Sequence, residues 1–411
     1  MDMFNMDEAH QDHEWAVGAT RLGLKVCGIW PNLQLTHWRK NLKTFRVMIA
    51  TMIVIFFTTI PSSIALIQVW GDLTLIIDNL IINLPFLTAI VKLVVLWYKE
   101  EELCRLFNEI HEDWIRPKSS AEREIMIKNA KIARFITIFA YILVIWVIAL
   151  HHLPFWVAGL IPRTTTNLTD IPGRGLVMQT IYFHDITDSP NFELTALGQI
   201  MSSLVAGSSY TTVDCVFGML ILHVSGQLEL LKLRIENMCN DYQDFITREP
   251  RIFTKFIRIV AKLHIKLIRF VETMESIFSL MLLEQFTAFA IIFATEGFHL
   301  ISIFVGDVKG TFATMNFAVS YFFYALFLIF LYSAAGEFLI ENSQAVYSAA
   351  YNSQWFNLEA RDMSQMIMVI IRAQKPLVVT AGKFAPISLR TFSSLIKTSA
   401  GYISMLLAVK S

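Results

Sequence analysis

Charged residues are scarce in this sequence, at 17% of 411 residues against 55% hydrophobic, with a mean hydropathy of +0.52. A water-soluble domain carries about 25% charge, so the deficit argues against one and points to the bilayer. Lysine plus arginine number 34, as do aspartate plus glutamate, and the formal net charge is zero. With no basic clustering there is no electrostatic footprint for a nucleic acid, and none is expected as a partner. Cysteine is rarer still: Cys27, Cys104, Cys215 and Cys239 form no CxxC pair and no Cys/His metal spacing. Neither a disulfide framework nor a metal or other cofactor is expected. The first 43 residues, opening MDMFNMDEAHQDHEW, lack the order of a removable signal peptide, so the first apolar run is expected to act as the insertion signal. Also missing are H-E-x-x-H, G-x-S-x-G, Walker-type and G-x-G-x-x-G patterns, which leaves an enzyme without support.

Long apolar runs are what the chain has in abundance. A helix needs about 20 mostly apolar residues to span a bilayer, and seven stretches qualify: 45–69, 73–97, 135–158, 194–224, 277–304, 312–335 and 386–409. The fourth is weaker and rich in small residues. Between the spans, lysine and arginine fall unevenly, 25 on one side and three on the other. That bias puts the N-terminus in the cytoplasm, and seven crossings put the C-terminus outside. The one N-x-[ST] sequon, at Asn167, falls in a loop assigned to the outside and is a candidate for glycosylation. Residues 99–115, 225–272 and 336–374 place apolar residues three and four apart among charges, so they read as helices running on below the membrane. The expected fold is all-α: a polytopic membrane protein of seven transmembrane helices with a cytoplasmic N-terminus and an extracellular C-terminus. Its helices extend into a cytoplasmic packing and oligomerisation domain. A single unit covers 1–411, with 1–44 as a cytoplasmic segment, 225–273 and 336–380 as cytoplasmic anchor parts, and 386–409 as the last helix.

Several classes fit this topology poorly. A G-protein-coupled receptor would place its N-terminus outside, and no D-R-Y-like triplet or N-P-x-x-Y pattern occurs where it should. A transporter should show matching halves with broken helices; Pro61 and Pro85 interrupt spans one and two, but no halves match. Ionisable residues within spans mark interior surfaces. Asp78 and Glu296 are expected near the outer surface, hydrated at the interface, and Lys92 to snorkel inward. Asp214 and Glu284 lie deeper and are expected in interior polar packing.

The C-terminal third carries an ordered set of motifs: GEFLIENSQAV, AAYNSQWFNL, Q-K-P-L, A-G-K-F, and T-F-x-x-x-x-K-T-S-x-x-Y. This pattern resembles the insect odorant receptor family, and its hymenopteran-like odorant-tuning members most of all. The matching residues are Glu337, Glu341, Tyr351, Trp355, Gln374, Pro376, Ala381, Gly382, Phe384, Pro386, Phe392, Lys397, Ser399 and Tyr402. The resemblance implies an odorant-binding subunit of a tetrameric, ligand-gated, non-selective cation channel, assembled with a common co-receptor subunit in the plasma membrane of sensory-neuron dendrites. The ending GYISMLLAV differs from that of the co-receptor, so this chain does not resemble it. It aligns Met405 with the apolar gate and puts Ala408 where the co-receptor has glutamine. Tyr402, Met405, Leu406 and Val409 recur at three- and four-residue spacing, and four such faces around an axis would form a constriction that gates by dewetting. The alternatives are a G-protein-coupled-type chemosensory receptor or a gustatory-receptor-like channel.

A site for a small apolar odorant needs aromatic walls and few polar groups. The resemblance places it among the outer halves of spans two to six, which supply Phe86, Trp146, Leu150, His151, Met201, Val205, Phe289, Phe293, Phe317 and Tyr321. About half are expected to line the pocket, with His151, His152 and Tyr321 as the groups to orient a carbonyl or hydroxyl. Finally, Lys383, Arg390 and Lys397 recur every seven residues, on one stripe of a helix. Lys383 and Arg390 are expected at or below the inner interface. Lys397 reaches into the span, where it is expected to face an interior carboxylate or carbonyls.

Overall fold

The computed structural model describes residues 6–30, 37–161, 175–240, 251–306, 311–353 and 355–410. Asn167 lies outside them. Helix α1 is Met6–Val26. The first apolar run is α2, His37–Val54, a π turn at Ile55–Thr59, and α3, Ile60–Gln68. Then come α4, Leu73–Tyr98; α5, Glu100–Ile115; α6, Ser120–Ala158; and α7, Asn191–Asn240. The chain continues with α8, Arg251–Val305; α9, Phe312–Asn352; α10, Ala360–Ala373; and α11, Leu389–Lys410. A two-residue pairing, β1 (Thr380–Ala381) with β2 (Ala385–Pro386), precedes α11.

The expected all-α membrane fold is what forms. Six described helical stretches are long and apolar enough to cross a membrane: Asn41–Gln68, α4, α6, Asn191–Asn237, Thr254–Val305 and α9. The last helix, α11, has 22 residues, about 33 Å at 1.5 Å per residue and so long enough to span. Arg390 and Lys397 dilute its apolar content. Polar sequence sets the starts: Asp72 accepts from the backbone N–H of Thr74 and Leu75 to cap α4. Ser119 and Glu122 form a capping box at α6, and Thr311 accepts from Thr314 N–H at α9. Gly159, at φ 63°, ends α6 in the left-handed conformation.

Helix α7 is the central post, touching α1, α2, α4, α6, α8 and α9. Its small residues, which made it a weak span on apolar content, let neighbours approach closely. A Cβ at Gly198 would collide with the Phe57 ring, and one at Gly207 with Ile148. Several of its hydroxyls are spent inside the helix, Ser203 donating to Gln199 O and Thr212 to Ser208 O, while Ser202 pairs with Thr58.

Two prolines test the rule that no backbone group stays unpaired in hydrocarbon. A helical proline frees the carbonyl four residues earlier. For Pro61 that is Phe57 O, which accepts from the Tyr182 hydroxyl at 2.7 Å. For Pro85 it is Ile81 O, which accepts from the Tyr321 hydroxyl at 3.2 Å.

The ionisable residues of the spans are internal. Lys92 does not snorkel: it is 1% exposed, pairs with Asp214, and sits 3.4 Å from the centre of the Tyr210 ring. Tyr332 also donates to Asp214 Oδ1, and Thr88 donates to Glu284 at 2.6 Å. Asp78 and Glu296 are buried rather than hydrated at the interface, and Asp78 stands 3.5 Å from His299 Nδ1. Asp78, Thr88, Lys92, Glu284, Glu296 and His299 come from α4 and α8, and Asp214 and Tyr332 join them from α7 and α9.

At the end of the bundle rich in lysine and arginine, Asp113 of α5 accepts from Lys266 of α8 at 2.6 Å and faces His223 of α7 at 3.3 Å. Arg234 of α7 donates to Glu122 of α6 at 2.6 Å, and Arg123 grips Asp12 of α1. Cys27, Cys104 and Cys215 are buried and form no disulfide among the described residues, and among those residues no group of three His/Cys/Asp/Glu could hold a metal. The Cys239 side chain lies outside the described residues.

The stripe of three cations breaks up. Lys383 sits in the β1–β2 turn at φ 64°, before α11 begins. Lys397 is exposed on the face of α11 turned away from α8 and α9, with no ion pair among the described residues of this chain. The A-G-K-F motif is a docking turn. Gly382, at φ 61°, donates its N–H to Ser279 O at 2.8 Å, and a Cβ there would strike Leu283. Gly336 leaves room for the Ile387 carbonyl, and Glu337 accepts from Leu389 N–H at the first turn of α11.

Two outcomes are expected. Lys92→Met strands the buried Asp214 carboxylate and destabilises the bundle by about 3–5 kcal/mol, whereas Lys92→Met with Asp214→Leu recovers most of that loss; thermal unfolding in detergent measures both. Burial, with His111 and Arg21 close by, pushes the His13 imidazole from 6.5 down to about 4. The unfolded chain therefore binds the extra proton between those values, and α1 docking is held above pH 6.5 and lost as pH falls toward 4. Amide exchange along α1, corrected for intrinsic rates, rises over that window, and His13→Leu flattens the dependence.

Candidate functional site

In the half of the bundle away from the basic end, α4, α6, α7, α8 and α9 enclose a cavity of about 110 Å³. An apolar cavity of about 150 Å³ takes up benzene; this one is of the same order and somewhat smaller. Pro85 and Phe86 of α4 line one side, Val144, Val147, His151 and His152 of α6 the next. Gly207 and Tyr210 come from α7, Phe289 from α8, and Phe317, Tyr321, Tyr324 and Leu328 from α9; Met178 reaches in from the segment before α7. Ring contacts fix the wall: His151 against Phe317 at 4.6 Å, and Phe317 stacked on Tyr321 at 5.8 Å between centroids.

The polar groups of the wall are few, and two of them can be assigned as acceptors. The Ser203 hydroxyl donates its only hydrogen to Gln199 O at 2.9 Å, yet stands 2.8 Å from His152 Nε2. His152 Nε2 must then be the donor, which leaves Nδ1 as a bare acceptor. That Nδ1 is buried without a hydrogen-bond partner. Tyr321 spends its hydrogen on Ile81 O, so its oxygen too can only accept. Tyr210, whose oxygen accepts from Gln285 Nε2, keeps a hydrogen of its own, so the wall can meet either a hydroxyl or a carbonyl.

Of the ten residues expected to line a site, Phe86, His151, Phe289, Phe317 and Tyr321 do line this cavity. Trp146 and Met201 do not: they are 54% and 52% exposed on outward faces. Trp146 precedes His151 by five residues, about 140° round the helix at 3.6 residues per turn. Leu150 and Val205 are half-buried beside the wall, and Phe293 is buried behind Phe289, its ring stacked at 5.9 Å. Tyr324 and Leu328 were missed, although they extend Phe317 and Tyr321 on the same four-three-four stripe. Pro85 and Gly207 carried no such signal, because their roles depend on neighbouring helices.

The proposed gate residues divide as well. Phe392, Leu395, Ile396 and Leu406 of α11 pack on the bundle core, so Leu406 leaves the expected stripe. Tyr402, at the edge of that face, and Met405, further round, are 51% and 61% exposed, and Ala408 is exposed near the helix end. The Val409 side chain lies outside the described residues.

A family model described as 7tm Odorant receptor matches residues 72–400. The chain belongs to the insect odorant receptor family. It is 24% identical over 239 residues to odorant receptor Or2 of Anopheles gambiae and 25% identical over 210 residues to odorant receptor 13a of Drosophila melanogaster. Those matches cover 57% and 48% of this chain, and the chain spans 62% and 48% of the two relatives, less than two thirds of either. The fold is similar to that of the olfactory receptor OR5 from Machilis hrabei solved in complex with eugenol, with a TM-score of 0.83, 18% identity, and coverage of 98% of this chain and 100% of that one. The relatives are receptors, which agrees with the missing enzyme motifs.

Phe317→Ala removes the ring between His151 and Tyr321 and is expected to cost about 3–5 kcal/mol of stability, part of which an aromatic ligand filling the space restores. A ligand-dependent thermal shift larger in the variant than in the wild type is the check. His152→Leu removes the bare acceptor, and the preference for an alcohol over its methyl ether should then fall by roughly tenfold, about the worth of one buried hydrogen bond.

Proposed function

We propose that this receptor is the odorant-binding subunit of a ligand-gated, non-selective cation channel, with its odorant held in the α4–α9 cavity. The observation that carries the reading is that cavity, with its aromatic wall and few polar groups, in a chain of the odorant receptor family. The Machilis hrabei receptor of the same fold binds eugenol, which supports a small, largely apolar ligand here.

Helix α11 is the pore-lining candidate. It packs on α8 and α9 with one face and leaves Tyr402, at the edge of that face, and Met405 uncovered. An apolar face left open by its own bundle is what subunit assembly around an axis would use, with the co-receptor supplying the other subunits of a tetramer. Lys397 lies on the open side of the same helix, so its solvation is a matter for the water-filled vestibule or the subunit junction. In this reading the basic end of the bundle faces the cytoplasm, the C-terminus lies outside, Asn167 is glycosylated, and the channel works in the plasma membrane of a sensory neuron. Ligand opens the pore to the extent that it binds the open state better than the closed one.

Whole-cell recording of this chain alone and with a co-receptor tests the proposal, using a panel of small alcohols and phenols with G-protein signalling blocked. Agonist currents that persist under the block are expected, and a loss of current under it would favour the G-protein-coupled alternative. Met405→Ala should raise basal current, and an unchanged closed state would remove Met405 from the gate. Tags at the two termini should be accessible inside and outside respectively.

A further inference from the structure

One wall of the α4–α9 cavity is not a helix. Met178 lines it from the segment that leads into α7. Leu176, Val177, Met178, Gln179 and Thr180 are all non-helical and all buried, none more than 6% exposed. Connecting segments normally run over a protein's surface, because a buried one must find partners for its backbone. Irregular backbone within a membrane bundle is tolerated where it is buried in protein or lines a cavity, and this strap does both.

The helices round the cavity are joined directly to one another. Tyr321 of α9 donates to Ile81 O of α4 at 3.2 Å, and the His151 ring of α6 lies 4.6 Å from the Phe317 ring of α9. Gly207 of α7 stands so near Ile148 of α6 that an added Cβ would come within 2.8 Å of it. Parting any of these seams moves a long helix that is packed along its whole length. The strap is tied in another way, by hydrogen bonds to α3 and α7 that gather at 180–182, just after Met178. Gln199 donates to Thr180 Oγ1 and to the Tyr182 hydroxyl, both at 3.1 Å. Ile181 N–H donates to Pro61 O at 3.1 Å, and the Tyr182 hydroxyl to Phe57 O at 2.7 Å.

We propose that ligands reach the cavity from the end of the bundle where α7 begins, by displacing residues 176–179 about an anchor at 180–182, and that Met178 sets the size of ligand admitted. The Met178 side chain is unbranched and turns about three bonds, so it folds aside where a ring would not. A slender molecule passes once it has done so, whereas a ring-bearing one needs the strap itself lifted. The proposal rests on the reading of this cavity as the odorant site for its meaning to the receptor; the passage is a property of the fold.

Reaction of a cysteine placed inside the cavity, in receptor held in lipid nanodiscs, supplies the test without an odorant. Ala325→Cys puts a thiol in the wall. Its thiolate takes the methylthio group from methyl methanethiosulfonate and releases methanesulfinate, and mass spectrometry follows the rate. Variants in which the buried Cys27, Cys104 and Cys215 stay unlabelled are folded. Tyr182→Phe and Gln199→Leu loosen the anchor, and each should raise the rate about fivefold, the worth of one hydrogen bond. Met178→Ala should raise the rate of the benzyl reagent relative to the methyl one about tenfold, as crowding in the passage is relieved. Phe327→Ala loosens the α6–α9 seam instead, where Phe327 meets the part-exposed Phe139, and should leave the rates unchanged. The passage is overturned if Phe327→Ala speeds labelling as much as the anchor variants do, or if the anchor variants have no effect. A benzyl-to-methyl ratio that Met178→Ala leaves alone removes Met178 as the filter. If the strap governs labelling but the fully labelled receptor still answers odorants undiminished, the passage stands and the odorant-site reading falls.

Discussion

Hydrocarbon offers no water to take up an unpaired carbonyl or an isolated charge, and much of this receptor's interior is arranged around that fact. Pro61 and Pro85 each release a carbonyl inside a span, and each carbonyl is met by a tyrosine hydroxyl from a distant part of the chain. Ser203 and Thr212 of α7 turn their hydroxyls back onto their own helix. Lys92 and Asp214 satisfy one another in the middle of the bundle, with Tyr332 as a third member. Such a pair is weak evidence for stability, because burying both charges is expensive. It is stronger evidence that α4, α7 and α9 meet in one register and no other.

The same constraint shapes the ligand cavity. Tyr321 is a wall residue and a backbone cap at once, so its hydroxyl cannot freely serve a ligand. Ser203 is likewise committed to its own helix, and this fixes which nitrogen of His152 is bare. Part of the cavity's chemistry thus follows from the accounting of backbone carbonyls around it. Glycine placement does the complementary work. Gly207 lets Val144 and Ile148 of α6 approach the cavity.

The C-terminal motifs acquire a mechanical meaning in the fold. Gly336, Glu337, Gly382 and the small β1–β2 turn bind the start of α11 to α8 and α9, through contacts that tolerate no added Cβ and that cap the helix. The helix is thereby fixed at its base and packed along one side, with Tyr402 and Met405 uncovered. A lever anchored at one end is the arrangement in which a small shift of α8 or α9 is passed on to the free end.

The sequence by itself determined the helical class, the spans and the polar extensions beyond them, because apolar length and three- and four-residue spacing are properties of a single segment. It also carried the family, in motifs confined to the last third. Half of the expected cavity residues line it, and those that do not, such as Trp146 and Met201, fail by helix rotation: span membership is legible, but the inward face depends on which neighbours are present. Only the tertiary structure decided that Lys92 pairs with Asp214 instead of reaching for the interface, and that Asp78 and Glu296 are buried. It alone put Lys383 in a turn and left Lys397 facing away from its own bundle. Each of these depends on groups brought together from segments far apart in sequence, and pairing across helices leaves no trace in the period of any one of them.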